Sequence, residues 1–224
     1  MTVAGDASDT RLDTRLVVRV WLPDRPGALG LVASRIGAIG ADIVGIDVLE
    51  RSERVAVDEF AVVLPREDLV KLLVREIEEV DGASVEEWRL VDQFPDPRLD
   101  ALESVEQVSA AVSLDDLYAR LAASVHAEFI ADWAAVLRDE DLLAVVGDTA
   151  PSRTVLHALA TGTTASPAVA AGESGPDDLA VAPLERHGTV LLVGRDGHPF
   201  RRRERRQLLA LARIADRVAS ILGT

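Results

Sequence analysis

Apolar residues along the first ninety positions switch between two periods. Residues 15–22 (Arg-Leu-Val-Val-Arg-Val-Trp-Leu) are dense in β-branched and apolar side chains, which predicts a strand. Pro23 ends it, because proline has no N–H to give the ladder. Leu29, Val32, Ala33, Ile36 and Ile39 then recur at helical spacing and predict a helix with one buried stripe. Pro26 has its φ pre-set for a first turn, Asp24 is placed to cap that turn, and Gly40 suits the left-handed residue beyond the helix end. Residues 43–51 and 54–64 read as a hairpin turning at Ser52 and Glu53, with Val55, Val57 and then Phe60, Val62 set between charged or small residues. Pro65 stops the pairing. Residues 67–80 return to helical spacing, with Leu69, Leu72, Leu73, Ile77 and Val80 on one side. Asp81-Gly82 ends that helix, and residues 83–91 form one more strand.

The resulting order is β-α-β-β-α-β, which predicts the ferredoxin-like split unit: a four-stranded sheet with both helices on one face. Gln93-Phe-Pro-Asp-Pro97 interrupts regular structure, so residues 93–98 are read as a linker, residues 15–92 as a first domain and residues 99–224 as a second. Residues 1–14, polar and acidic, are expected to form a flexible N-terminus. In the second half, residues 99–112 read as a helix with Leu102, Val105 and Val108 at every third position. Ser113 and Asp116 have the spacing of a capping box for a helix striped by Leu114, Leu117, Tyr118, Leu121 and Val125. Strands follow at residues 129–137 and 142–147 around an acidic turn, then a short helix at 151–160. The Thr-, Ser-, Gly- and Ala-rich residues 161–176 are expected to be a mobile loop. Residues 179–184 and 189–194 pair as a hairpin, and a long helix from about Pro199 closes the chain, with Leu208, Leu211, Ala212, Ala215, Val218 and Leu222 along one face. The fold class expected is α+β in the first domain, followed by an α/β domain with an antiparallel sheet.

Composition narrows the chemistry. Of 224 residues, 48% are hydrophobic but only 4% aromatic, so the cores must be built from Val, Leu, Ile and Ala. The absence of cysteine excludes disulfides, thiol catalysis and thiolate-held metals. Net charge is −14, with acids outnumbering bases in both halves, so the general attraction to a phosphate backbone is missing and no nucleic-acid partner is expected. The one basic cluster, Arg195, Arg201, Arg202, Arg203, Arg205 and Arg206, reads as a solvated helix face. With no secretory leader and no apolar run of membrane-spanning length, a cytoplasmic protein without a membrane partner is expected.

No reaction motif is legible. His126, His157, His187 and His198 stand in no metal-ligand spacing, and neither a nucleophile elbow nor a phosphate-binding glycine loop is present. Gly147-Asp-Thr-Ala-Pro-Ser-Arg153 has the residues to line a pocket, but a turn capping the following helix accounts for it. The chain is read as non-catalytic, with no cofactor and no metal. The segment with binding potential is the strand-to-helix turn at residues 24–30. A helix start leaves N–H groups without partners, and Gly27 and Gly30 let an anion approach the backbone.

On these residues the first domain resembles an ACT domain: Asp24-Arg-Pro-Gly-Ala-Leu-Gly30, the apolar helix, Gly40-Ala-Asp-Ile-Val44, and Phe60 in the following hairpin. The resemblance implies a regulatory module that binds an amino acid or related small effector, commonly between two copies, hence a homodimer. It places the ligand against Asp24, Pro26, Gly27, Ala28, Leu29, Gly30, Asp42 and Ile43. Asp42 stands where many relatives carry Asn. When ionised it only accepts hydrogen bonds, which favours a ligand's amino group over its carboxylate. The second half, through Gly188-Thr-Val-Leu-Leu-Val-Gly-Arg195 and Pro199-Phe200 before a Leu/Ala-rich helix, resembles a small GAF domain. Such domains sense small molecules or dimerise. The function expected is a non-catalytic regulator that senses an amino acid through the first domain and relays it to the second. Two alternatives are a dimerisation scaffold that docks a protein partner without ligand, and a small-molecule enzyme regulated by the first domain.

Overall fold

In the computed structural model, which describes residues 13–52 and 54–223, the chain divides into two units between Phe94 and Pro95. The segment expected to be flexible lies, up to residue 12, outside the described residues, as does Glu53 of the first turn.

The first unit runs β1 (Thr14–Pro23), α1 (Ala28–Ala38), β2 (Asp42–Arg51), β3 (Val55–Leu64), a 3-10 turn leading into α2 (Val70–Glu78), and β4 (Ser84–Leu90). The sheet order β2-β3-β1-β4, antiparallel throughout, is the ferredoxin-like arrangement. Leu16, Val18, Val20 and Leu22 of β1 and Phe60, Val62 and Leu64 of β3 pack under Val32, Ile36, Leu73 and Ile77 of the helices. The buried row of α1 is Ala28, Val32 and Ile36. Leu29, expected in the stripe, is 39% exposed, and Ile39 is the residue that ends the helix. Four-residue steps hold a narrower face than the broad stripe drawn from sequence. Gly40 does adopt a left-handed conformation, with φ 77°.

The second unit runs α3 (Pro97–Ser109), α4 (Leu114–Glu128), β5 (Trp133–Arg138), β6 (Asp141–Val146), α5 (Arg153–Thr164), α6 (Pro167–Ala170), β7 (Leu179–Leu184), β8 (Thr189–Gly194) and α7 (Arg202–Leu222). Its sheet, β6-β5-β8-β7, is antiparallel and covered on both faces. Ala134 and Val136 face Leu117, Leu121, Leu208 and Ala212 of the α4 and α7 layer, whereas Trp133, Ala135 and Leu137 face Leu156 and Ala160 of α5. Burial on both faces explains why β5 and β8 read as continuous apolar runs. Helix α3 begins inside residues 93–98, because the Asp96 carboxylate accepts from the N–H groups of Arg98 and Leu99. Ser113 caps α4 by accepting from Asp116 N, and Asp116 accepts in return from Val112 N. Strand β5 starts later than expected, since Phe129 closes α4 and Ile130 reverses the chain at φ 49°.

Two expectations are overturned. Residues 161–176 are not a featureless loop. Helix α5 continues to Thr164, Pro167 opens α6, and Arg205 holds the end of the segment by donating to Pro176 O and Leu179 O. Nor is the arginine cluster a solvated face. Arg195, Arg201 and Arg205 are 6%, 7% and 6% exposed. A guanidinium's five donors can be spent on backbone carbonyls, which lets arginine enter a core that lysine could not.

Candidate functional site

The turn between β1 and α1 departs from the sequence expectation at its first residue. Asp24 does not cap the helix. Its N–H donates to Arg54 O, and its carboxylate takes a forked pair of hydrogen bonds from Arg51 at the end of β2, 2.9 and 3.1 Å from Nε. This guanidinium holds the Asp24 carboxyl below the usual carboxylate range. Gly27 is the cap residue instead, at φ 88°, a left-handed conformation that favours glycine, and it has no side chain to satisfy the first-turn N–H groups. A Cβ on Gly27 or Gly30 would meet nothing within 4 Å, so the helix start faces open space. Pro26 and Leu29 are exposed there, whereas Ala28 points into the core.

Asp42 and Ile43 are not part of this constellation within one chain. Asp42 pairs with Val63, whereas the turn follows Pro23, which pairs with Val55. Eight residues of strand at about 3.3 Å each put them about 25 Å apart, at opposite ends of the sheet. Only a second copy can bring an Asp42 to the turn.

Sequence reasoning missed Asp58. It sits in β3 on the helix-covered face, opposite Val20, in the same inward row as Phe60 and Val62. Only 4% of it is exposed, and its Oδ1 is buried without a hydrogen-bond partner among the described residues. Burial pushes its carboxyl above the usual range, partly countered by the nearby Arg51 and reinforced by Asp24. A signal was present: the apolar phase of β3 shifts from Val55 and Val57 to Phe60 and Val62, which leaves Asp58 inward.

A raised carboxyl pKa means that the neutral form stabilises the fold below the ordinary carboxylate value, and that this contribution is lost as pH rises through the folded-state value. Asp58→Val is therefore expected to stabilise the first unit by about 1 kcal/mol near neutral pH. The gain should shrink as pH falls toward about 4, read by urea denaturation at both pH values.

Among the described residues, no group of three His, Cys, Asp or Glu side chains could hold a metal ion, and no helix is long and apolar enough to cross a membrane.

No family model and no curated protein matches the chain. Among solved structures, it is similar to the ACT domain from GTP pyrophosphokinase of Chlorobium tepidum: 14% identity over 38% of this chain and 92% of that one, TM-score 0.30. It is also similar to the regulatory subunit of aspartate kinase from Thermus thermophilus: 19% identity, 50% and 80% covered, TM-score 0.31. A third likeness, to an unknown protein from Galdieria sulphuraria, has 15% identity, covers 94% of both chains and has a TM-score of 0.34.

Proposed function

We propose that this chain is a non-catalytic regulatory protein whose ACT-like first unit binds a free amino acid at the β1–α1 turn and relays its presence to a GAF-like second unit. The observation that carries this reading is Asp58, whose buried Oδ1 has no hydrogen-bond partner among the described residues, held at the same end of the sheet as Arg51 and the glycine-capped helix start. These are the complements of a zwitterion. The ligand's ammonium offers Asp58 its missing hydrogen bonds, and the ligand's carboxylate is received by first-turn N–H groups and Arg51. Asp42 of a second copy would add a further acceptor for the ammonium. Helix α3, which opens the second unit, is the element proposed to carry the signal.

Calorimetric titration of the full chain with the twenty amino acids tests this. At least one is expected to bind, and Asp58→Asn is expected to weaken that binding about tenfold or more, the cost of losing a charge-assisted hydrogen bond. Silence across the panel at millimolar concentration rejects the sensor.

A second reading, a dimerisation scaffold, is favoured by edge strand β2, where Val44, Ile46 and Val48 are exposed beside an unpaired ladder. It predicts a stable dimer by sedimentation with no ligand response, converted to monomer by Ile46→Lys.

A further inference from the structure

A cavity of about 640 Å³ opens in the second unit where β5 and β7 begin and β8 ends. Two close approaches that only glycine permits position its lining residues Asp132, Trp133 and Thr149. Gly147, at φ 97°, crosses so close to β5 that a Cβ would lie 2.1 Å from Asp132 O, and Thr149 beyond it donates to the same carbonyl. Gly194 carries the Trp133 indole flat against its Cα, where a Cβ would stand 2.2 Å from Cε2. Trp133 is therefore held in one orientation with its edge lining the cavity. It is 9% exposed, and no described residue accepts from its Nε1–H. The Nε1–H keeps access to the open space of the cavity, where a bound acceptor can meet it.

The rest of the lining defines what such a ligand looks like. Leu159 and Leu179 offer apolar surface, and Asp132, Asp178 and Asp196 stand around the opening. The Asp132 carboxylate accepts from the backbone N–H of Asp196 at 2.7 Å, which holds it against the end of β8. Arg195 also lines the cavity, but its charge is already paired with Glu204, so the three aspartates leave an excess of negative charge there. Its guanidinium is spent on the carbonyls of Phe129, His198 and Pro199 and on Glu204. The volume suits an organic molecule, and the described residues include no cluster able to ligate a metal ion.

We infer that this cavity is a binding site for a small amphipathic amine, with its ammonium at the three aspartates, its apolar body on Leu159 and Leu179, and a hydrogen-bond acceptor meeting Trp133 Nε1–H. The site is separate from the β1–α1 turn and does not depend on amino-acid sensing there.

The probe is tyramine, compared with 3-(4-hydroxyphenyl)propanoate, which exchanges the ammonium for a carboxylate on a similar body. Titration calorimetry on the full chain is expected to show saturable tyramine binding and no measurable binding of the anion. Asp178→Asn combined with Asp196→Asn should weaken tyramine binding about five- to tenfold with melting unchanged. Trp133→Phe, which removes the N–H while keeping a ring, should weaken it as well. If Trp133→Phe impairs folding, the double aspartate variant decides alone. Absence of tyramine binding, equal binding of the anion, or an unchanged affinity in the double variant each overturns the assignment.

Discussion

Gly147→Ala is expected to destabilise the second unit by about 3 kcal/mol or more, from backbone strain at a positive φ together with overpacking. The new Cβ would lie 2.1 Å from Asp132 O and 2.8 Å from Trp133 Cα, and both are backbone atoms at the start of β5 or just before it, with no rotamer through which to yield. Relief requires moving the β6–α5 connection off the sheet, which also opens the cavity. Gly162→Ala is the control. Gly162 lies within α5, a Cβ there would meet nothing within 4 Å, and alanine is the better helix former by about 1 kcal/mol. Guanidinium denaturation followed through Trp133 fluorescence, with Trp21 and Trp88 replaced by Phe, reads the second unit in each variant. The two glycine substitutions should move its midpoint in opposite directions.

Arg195→Met is expected to cost about 3–5 kcal/mol, the range for breaking a buried ion pair from one side. The guanidinium lies 4.1 Å from the centre of the Phe200 ring, joins three carbonyls to the Glu204 carboxylate, and so ties the β8–α7 connection to the end of α4. Methionine fills the stem's volume but leaves the three carbonyls without this donor and Glu204 without its cation, although Glu204 still accepts from Arg201 N at 2.7 Å. Adding Glu204→Gln should recover part of the loss, because no uncompensated charge then remains. Arg195→Lys should recover little, since one ammonium cannot reach all four partners in the guanidinium's plane. The same denaturation assay, analysed as a double-mutant cycle, measures the coupling.

These arginines show where sequence reading stops. Arg195, Arg201 and Arg205 share their composition with the more exposed Arg202, Arg203 and Arg206, and nothing in the residue types tells a core guanidinium from a solvated one. The difference is made by carbonyls far away in sequence, such as Phe129 O for Arg195 and Leu179 O for Arg205. Residues 161–176 fail for a related reason. Their local preference for helix is weak, and Pro167 together with the anchor from Arg205 sets their path. At the turn, Pro26, Gly27 and Gly30 mark a helix entry in the sequence, but Asp24 does not make the cap that its position suggests. Its partner Arg51 lies one strand away, at the end of β2.

By itself the sequence determined the order of elements apart from α6, the hairpins at residues 43–64 and 179–194, the Ser113 cap, the left-handed Gly40 and the absence of thiol chemistry. Each of these is set by neighbours within a few residues or by which atoms are present at all. Tertiary structure alone decided that Asp42 and the β1–α1 turn sit at opposite ends of one sheet, that Asp58 Oδ1 lies buried without a hydrogen bond from any described residue, and that Gly194 seats the Trp133 indole beside a cavity. These depend on strand register and on close approach between segments distant in the chain. A shift of register by one residue would turn Asp58 to the other face of the sheet and leave every local preference unchanged.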